Sequence, residues 1–244
     1  MRMRKKKNGE ARLYACREVI FDMPLSPMTD PASVMGKAGA PVFLEIGAGK
    51  GGFACEMARR NPDAVYFAME KVSDCVVIAA EKAISEKDEH EDNLRFIVDT
   101  ADNLLKIFAK ETVDKIFLNF SDPWSKKGYA KRRLTHRRYL SLYLNLLREG
   151  GTLAFKTDNT GLFDFTLEEI SAIGLVPDIV TRDLHSSDYN EGNVMTEYET
   201  AFSSQGIKIN MLTLKKPHGF TVEIPDELKE GKRSFIGRSG ENND

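Results

Sequence analysis

Short apolar runs alternate with longer amphipathic stretches through the middle of the chain. VFLEIG (42–47) is apolar, ends in glycine and predicts a buried parallel strand. GGFACEMARR (51–60) has helical texture. AVYFAME (64–70) and LRFIV (94–98) predict two more strands, separated by a helix over VSDCVVIAAEKAISE (72–86). DNLLKIFAK (102–110) predicts a helix and DKIFLNF (114–120) a fourth strand. A helix over 134–148 closes at Gly150-Gly151, then TLAFKT (152–157) predicts strand five and GLFDFTLEEI (161–170) another helix. Strand and helix recur about every 25 residues, which implies an α/β fold with a doubly wound, mostly parallel sheet.

The pattern weakens after residue 175. LVPDIV (175–180) and EYETAFSSQ (197–205) are expected to be closing strands, the last antiparallel, with a polar loop over 183–196. Residues 1–41 contain Pro24, Pro27, Pro31 and Pro41 and read as an irregular basic extension. The expected α/β domain is 42–214, and the charged tail 215–244 is expected to lie outside the core.

Composition narrows the class. The chain has 244 residues, 41% hydrophobic and 30% charged, as in an ordinary globular protein. No run approaches the ~18 to 20 apolar residues of a membrane helix, and no signal-type apolar region follows the basic MRMRKKKNGE start. Cys16, Cys55 and Cys75 are odd in number and form no C-x-x-C pair, which argues against a disulfide framework or a zinc site. A cytoplasmic protein with reduced thiols and no metal is expected, as monomer or homodimer.

The formal net charge of −2 hides an asymmetry. Residues 1–12 hold six Lys/Arg against Glu10, and residues 123–148 hold eight with no acid. That leaves 21 of the 35 basic residues facing 36 of the 37 acidic ones elsewhere. An acidic body with two basic segments suits local binding of a polyanion.

The loop after strand one reads Glu45-Ile46-Gly47-Ala48-Gly49-Lys50-Gly51-Gly52. Gly47, Gly49 and Gly52 satisfy the G-x-G-x-x-G pattern after a strand and before a helix, so NAD and S-adenosylmethionine (SAM) are both possible. Glu70, ending strand two, suits a carboxylate that accepts both ribose hydroxyls. Glu45 favours SAM: a carboxylate there would repel a pyrophosphate but attract a sulfonium and an ammonium. After strand three, Asp99 or Thr100 could accept from an adenine amino group, and the Ala101 N–H could meet a ring nitrogen; Asp-Thr-Ala-Asp is equally a helix cap.

Strand four ends in Phe120-Ser121-Asp122-Pro123-Trp124, followed by cations from Lys126 to Arg138. Ligands in open parallel sheets bind beyond the carboxyl ends of the strands, so Asp122 is placed at the donor end of a cofactor. Pro123 restricts the backbone of Asp122. Trp124 either stacks on a base or anchors the loop. Arg133 and Arg137, with Leu140 and Leu144, fall on i, i+4 rows, so one helix face can be buried while another presents cations. Acid, indole and cations together suit a protein that steers an RNA backbone and holds an unstacked base.

With these residues in view, the chain resembles the bacterial tRNA (guanine-N7-)-methyltransferases. The resemblance is carried by LEIGAGKGGF (44–53), Glu70, LNFSDPWSKK (118–127), KRRLT (131–135), FKTDN (155–159) and MTEYE (195–199), over roughly residues 1–214. It implies a class I, Rossmann-like SAM-dependent enzyme that methylates N7 of guanine 46 in the tRNA variable loop. It implies that Glu45, Glu70, Thr100 and Asp122 contact SAM, and that Lys126, Asp158 and Thr196, Glu197, Tyr198 and Glu199 contact the tRNA or its base. The stretch around 128–133, with Lys131, Arg132 and Arg133, would face RNA. The chain departs from the family at Thr100, at Gly128-Tyr129-Ala130, and in the tail. From the residues alone, Asp158 could instead cap a helix, and Thr196–Glu199 could be a loop-to-strand junction. A SAM methyltransferase acting on another nucleic acid and a non-catalytic RNA-binding protein with a vestigial SAM pocket are the alternatives.

Overall fold

The continuous apolar runs do become strands at the centre of one sheet. A computed structural model describes residues 8–86 and 92–231; most of the N-terminal cations and the end of the tail lie outside the described residues. Strands β1 (Val42–Ile46), β2 (Val65–Glu70), β3 (Leu94–Val98), β4 (Val113–Asn119) and β5 (Leu147–Thr157) pair in parallel in the order 3-2-1-4-5. β7 (Asn210–Lys215) lies antiparallel to β5, and β6 (Ile179–Thr181) closes the edge, giving seven strands in the order 3-2-1-4-5-7-6. The chain reverses direction across the sheet between β1 and β4, the position at which ligands bind in such folds.

Strand alternation divides the core into two faces. Val42, Leu44 and Ile46 point into one cluster with Leu140, Leu144, Phe155 and Phe163. Phe43 points into the other, with Phe53, Tyr66, Val76 and Ala79. Helices α2 (Gly52–Arg60) and α3 (Ser73–Ser85) cover the second face. Helices α4 (Leu104–Ile107), α5 (Arg137–Leu146) and α6 (Thr160–Ala172) cover the first.

Several boundaries differ from the pattern-based expectation. The stretch at 197–205 is a helix, α7 (Glu197–Ser203), and not a strand. The Thr196 hydroxyl accepts from the Glu199 N–H at 2.9 Å and caps it. The antiparallel strand is instead β7, NMLTLK. The helix expected at 102–110 is one short turn, and α5 stops at Leu146 because β5 begins at Leu147. A register shift opposite Val113–Lys115 and the positive φ of Gly150 (76°) carry β5 through Gly150-Gly151.

The described parts of both terminal segments, residues 8–41 and 216–231, pack on the body. Helix α1 (Gly9–Ala15) is tied to α3 by a bidentate Arg12–Glu81 pair, and Ile20 and Met28 make single parallel bridges to Phe96 and Phe108. At the other end, Ile224 and Leu228 are buried in the main core, Leu228 on the short helix α8 (Asp226–Lys229). No helix among the described residues is long and apolar enough to cross a membrane.

Leu228→Ala should therefore destabilise the fold by about 2 to 4 kcal/mol. Urea unfolding tests this; a change below about 0.5 kcal/mol, the level of an ordinary surface substitution, would place the segment outside the cooperative core.

Candidate active site

A cleft of about 1260 Å³ opens at the carboxyl ends of β1 to β4. Its floor begins at the glycine turn. Gly47 (φ 88°) and Gly49 (φ 56°) hold left-handed backbone that side chains resist. The N–H groups of Gly47 and Ala48 both donate to the Met69 carbonyl, at 2.8 and 3.0 Å, fixing the turn to β2. Gly51 is required for a different reason: a Cβ there would stand 2.7 Å from the Ala79 Cβ, so its absence lets α2 approach α3.

Glu70 closes the next side. Its carboxylate accepts from the Gly49 N–H (3.2 Å) and the Val72 N–H (2.9 Å), and it lines the cleft half-exposed. The turn after β3 forms the far wall. Asp99 is buried, accepting from the Thr100 N–H (2.7 Å) and the Asn103 amide (2.8 Å). Thr100 is half-buried, with its hydroxyl 3.3 Å from Asp102, and Ala101 starts a single 3-10 turn. All three line the cleft.

The β4 turn is backbone under strain. Phe120 (φ 50°) and Trp124 (φ 42°) both adopt left-handed backbone, at a cost of roughly 1 to 2 kcal/mol each. Asp122 stands between them, exposed and lining the cleft. Arg133 holds the turn, its guanidinium donating to the carbonyls of Pro123 (2.9 Å) and Trp124 (3.2 Å) while lying 4.3 Å from the Phe165 ring centre. The indole is not in the core: it meets Tyr129 edge-on at 5.8 Å, and the Arg132 guanidinium covers both rings.

The cations after this turn divide into two groups. Lys126, Lys131 and Arg132 are exposed at the rim. The free cationic face expected from the i, i+4 spacing of Arg133 and Arg137 does not form, and Arg138 is not free either. Arg137 makes a bidentate pair with Glu169 at 2.9 Å, and Arg138 bonds Glu227, Tyr139 and the Lys131 carbonyl. Arg133 is likewise spent on the turn.

Beneath the cleft lies a polar row that sequence reading saw only at one end. Glu45, Asn119 and Lys156 project from β1, β4 and β5 onto the same face of the sheet, as the registers Glu45–Phe117 and Asn119–Lys156 require. Glu45 is buried, and its Oε1 accepts from Asn119 at 3.0 Å. Its other carboxylate oxygen has no hydrogen-bond partner among the described residues. Burial pushes its pKa up to about 7, against the pull of Asn119 and Lys156. Lys156 donates to Glu199 (2.5 Å), Asn193 (3.1 Å) and the Val194 carbonyl (2.8 Å).

Glu199 is accordingly turned inward. It is fully buried and also bonds His185 and Asn193 at 2.8 Å, so its oxygens are occupied and cannot read a base edge. Thr196 is buried as a helix cap, and Glu197 is exposed beside Gly52 and 3.5 Å from Lys82. Tyr198 is 43% exposed, stacked on Phe202 at 4.1 Å and tilted against Phe120 at 4.9 Å. Asn159, and not Asp158, caps α6, which leaves Asp158 half-buried near Tyr198, whose phenol pKa is raised by burial and by that charge.

Residues 39–212 match a family model described as "Putative methyltransferase". The chain belongs to this methyltransferase family. The fold has solved counterparts at a TM-score of 0.53: an antibiotic-related methyltransferase (18% identity, 75% of this chain and 90% of that one), the antibiotic-resistance methyltransferase Kmr (15%; 78% and 93%) and the 16S rRNA methyltransferase KamB (12%; 88% and 95%).

The methyl donor expected from the sequence is SAM, and the cleft offers groups that suit it. The Glu70 carboxylate rims the cleft and can accept from ribose hydroxyls, while Glu45 is buried at the end of β1 and is not among the lining residues.

Glu45 also sets a pH dependence. Its folded pKa is raised, so its contribution to stability is complete below pH about 4.5 and is lost as pH rises through about 7. Glu45→Gln should gain on the wild type by on the order of 2 to 3 kcal/mol between pH 5 and pH 8. Urea denaturation across that range checks it; a constant difference would show that Glu45 does not titrate there.

Proposed function

We propose that this methyltransferase acts on RNA, transferring the methyl group to N7 of a guanine in tRNA, at position 46 of the variable loop. The observation that carries the reading is the β4 turn, where Asp122 stands in the cleft beside an exposed rim of Lys126, Lys131 and Arg132 around Trp124 and Tyr129. The resemblance of LNFSDPWSKK, KRRLT, FKTDN and MTEYE to tRNA (guanine-N7-)-methyltransferases supplies the substrate. The name of KamB supports an RNA substrate at the coarser level.

In this reading Glu70 accepts from the ribose hydroxyls, Thr100 and Ala101 meet the adenine, and Glu45 lies under the charged end. Asp99 serves by holding that wall. When bound, SAM supplies a methyl group on a sulfonium. Guanine N7 has an in-plane lone pair and no proton, so the protein needs no strong base. Its task is to align the base, which can lower a barrier by ~7 to 11 kcal/mol in favourable cases. Asp122 and Asp158 accept from the N1–H and N2–H₂ edge, identifying guanine and stabilising the positive charge that moves onto the purine. Tyr198 stacks, and the rim cations hold phosphates.

Reaction with a tRNA pool, followed by mass spectrometry of the methylated nucleotide, should report N7-methylguanosine in the variable loop. Label on ribosomal RNA alone, or SAM binding with no turnover on any RNA, would overturn the reading. Asp122→Ala should lower kcat by more than ~10²-fold; a loss under about threefold, less than 1 kcal/mol of barrier, removes it from the reacting centre. Lys126→Ala should weaken tRNA binding and reduce the slope of log affinity against log salt by about one, read by filter binding at several salt concentrations.

A further inference from the structure

The segment after β7 lies beyond the residues matched by the family model, yet it reaches the wall of the cofactor cleft. Leu228 buries α8 in the core, and the Val222 carbonyl accepts from Asn145 of α5 at 2.9 Å. On the same helix, Glu227 accepts from an Arg138 guanidinium N–H at 2.9 Å. Arg138 donates to the Tyr139 hydroxyl at 2.7 Å and lies 3.4 Å from Asp102. The Tyr139 hydroxyl donates to Asp102 at 3.0 Å, and Asp102 accepts from Thr100 at 3.3 Å. Arg138, Tyr139, Asp102 and Thr100 all line the cleft. Gly231 presses on the same turn: a Cβ there would come within 2.7 Å of the Asn103 amide oxygen and 3.1 Å of the Asp102 carbonyl.

We infer that the C-terminal segment is a working part of the cofactor site, with Glu227 as a positioning residue that acts through Arg138 on the turn after β3. Two effects support this. The first is geometric: the chain of bonds from Glu227 to Thr100 sets the side chains of the cleft wall. The second is electrostatic. Arg138 is a guanidinium on the wall of a cleft that takes a cationic donor, and Asp102 and Glu227 are carboxylates that offset its charge. Without Glu227 that wall becomes more positive and its side chains are less constrained. Glu227 is itself half-exposed, and a half-exposed ion pair contributes little to global stability. Its loss is therefore expected in ligand binding and not in melting.

The inference depends on the cofactor and not on the identity of the RNA, so its test uses no RNA for the decisive readout. Full-length Glu227→Gln is titrated with SAM by calorimetry and melted alongside the wild type. The expected result is SAM binding about 3- to 10-fold weaker with Tm within about 2 °C. Tyr139→Phe removes the hydroxyl between Arg138 and Asp102 and should weaken SAM by a similar factor. Because both substitutions act on one network, the double variant should bind SAM no worse than about the weaker single variant. In turnover with a methyl-accepting RNA, Glu227→Gln should raise the KM for SAM and leave kcat within about twofold, the pattern of lost ground-state binding. SAM affinity within about 1.5-fold of wild type in Glu227→Gln would overturn the inference. So would a parallel loss of Tm and affinity in which affinity returns on cooling, because that is the behaviour of a merely structural contact.

Discussion

The ion pair between Lys156 and Glu199 is the constraint around which the active end of the molecule is arranged. Both side chains are buried, so neither charge could stand there without the other. The pair joins the end of β5 to the first turn of α7, and through His185, Asn193 and Val194 it gathers the long loop between β6 and α7 onto the sheet. Burial lowers the Lys156 pKa while Glu199 opposes the shift; against its own burial, the Glu199 carboxylate is held below its usual range by Lys156 and by hydrogen bonds from His185 and Asn193. Breaking either partner would leave an uncompensated charge in the interior, a defect of several kcal/mol. Tyr198 is placed by this anchor: it follows the Thr196 cap, stacks on Phe202 one turn later and leans on Phe120 at the strained β4 turn.

That turn divides the labour of the site. Backbone strain at Phe120 and Trp124 is held by Arg133 from below and by the Phe120 N–H bond to the Lys156 carbonyl (2.9 Å) from the side. The rigid part carries the acid, and the exposed part carries the cations and aromatic rings. Rim cations can therefore exchange partners with a phosphate backbone without disturbing Asp122, because Arg133, which fixes the turn, is not one of the exposed rim cations.

Legibility in the sequence followed the range of each interaction. β1 to β5 were readable because strands buried on both faces are continuous apolar runs, and the glycine turn was readable because its residues are adjacent. Glu45, Glu70 and Asp122 were placed at strand ends by that same alternation. β7 is not legible in the sequence: NMLTLK alternates only weakly, and its partners lie more than fifty residues away in β5 and at least thirty away in β6. α7 departs from the strand expected over 197–205, although Thr196-x-x-Glu199 is a cap signature. The burial of Lys156 is not legible in the sequence, because its partner Glu199 lies 43 residues away. Arg137 and Arg138 looked like solvated cations, since Glu169, Asp102 and Glu227 are distant in sequence.

The placement of β7 has a consequence for how such a chain is made. The strand enters between β5 and β6, both of which precede it in the sequence. Until residues 210–215 have left the ribosome, β5 carries an unpaired hydrogen-bonding edge in the middle of what will become the sheet. An open edge of that length is a template for pairing with another chain. The sheet is thus complete only once β7 has emerged, and the growing polypeptide must be kept from neighbours until that strand covers the β5 edge.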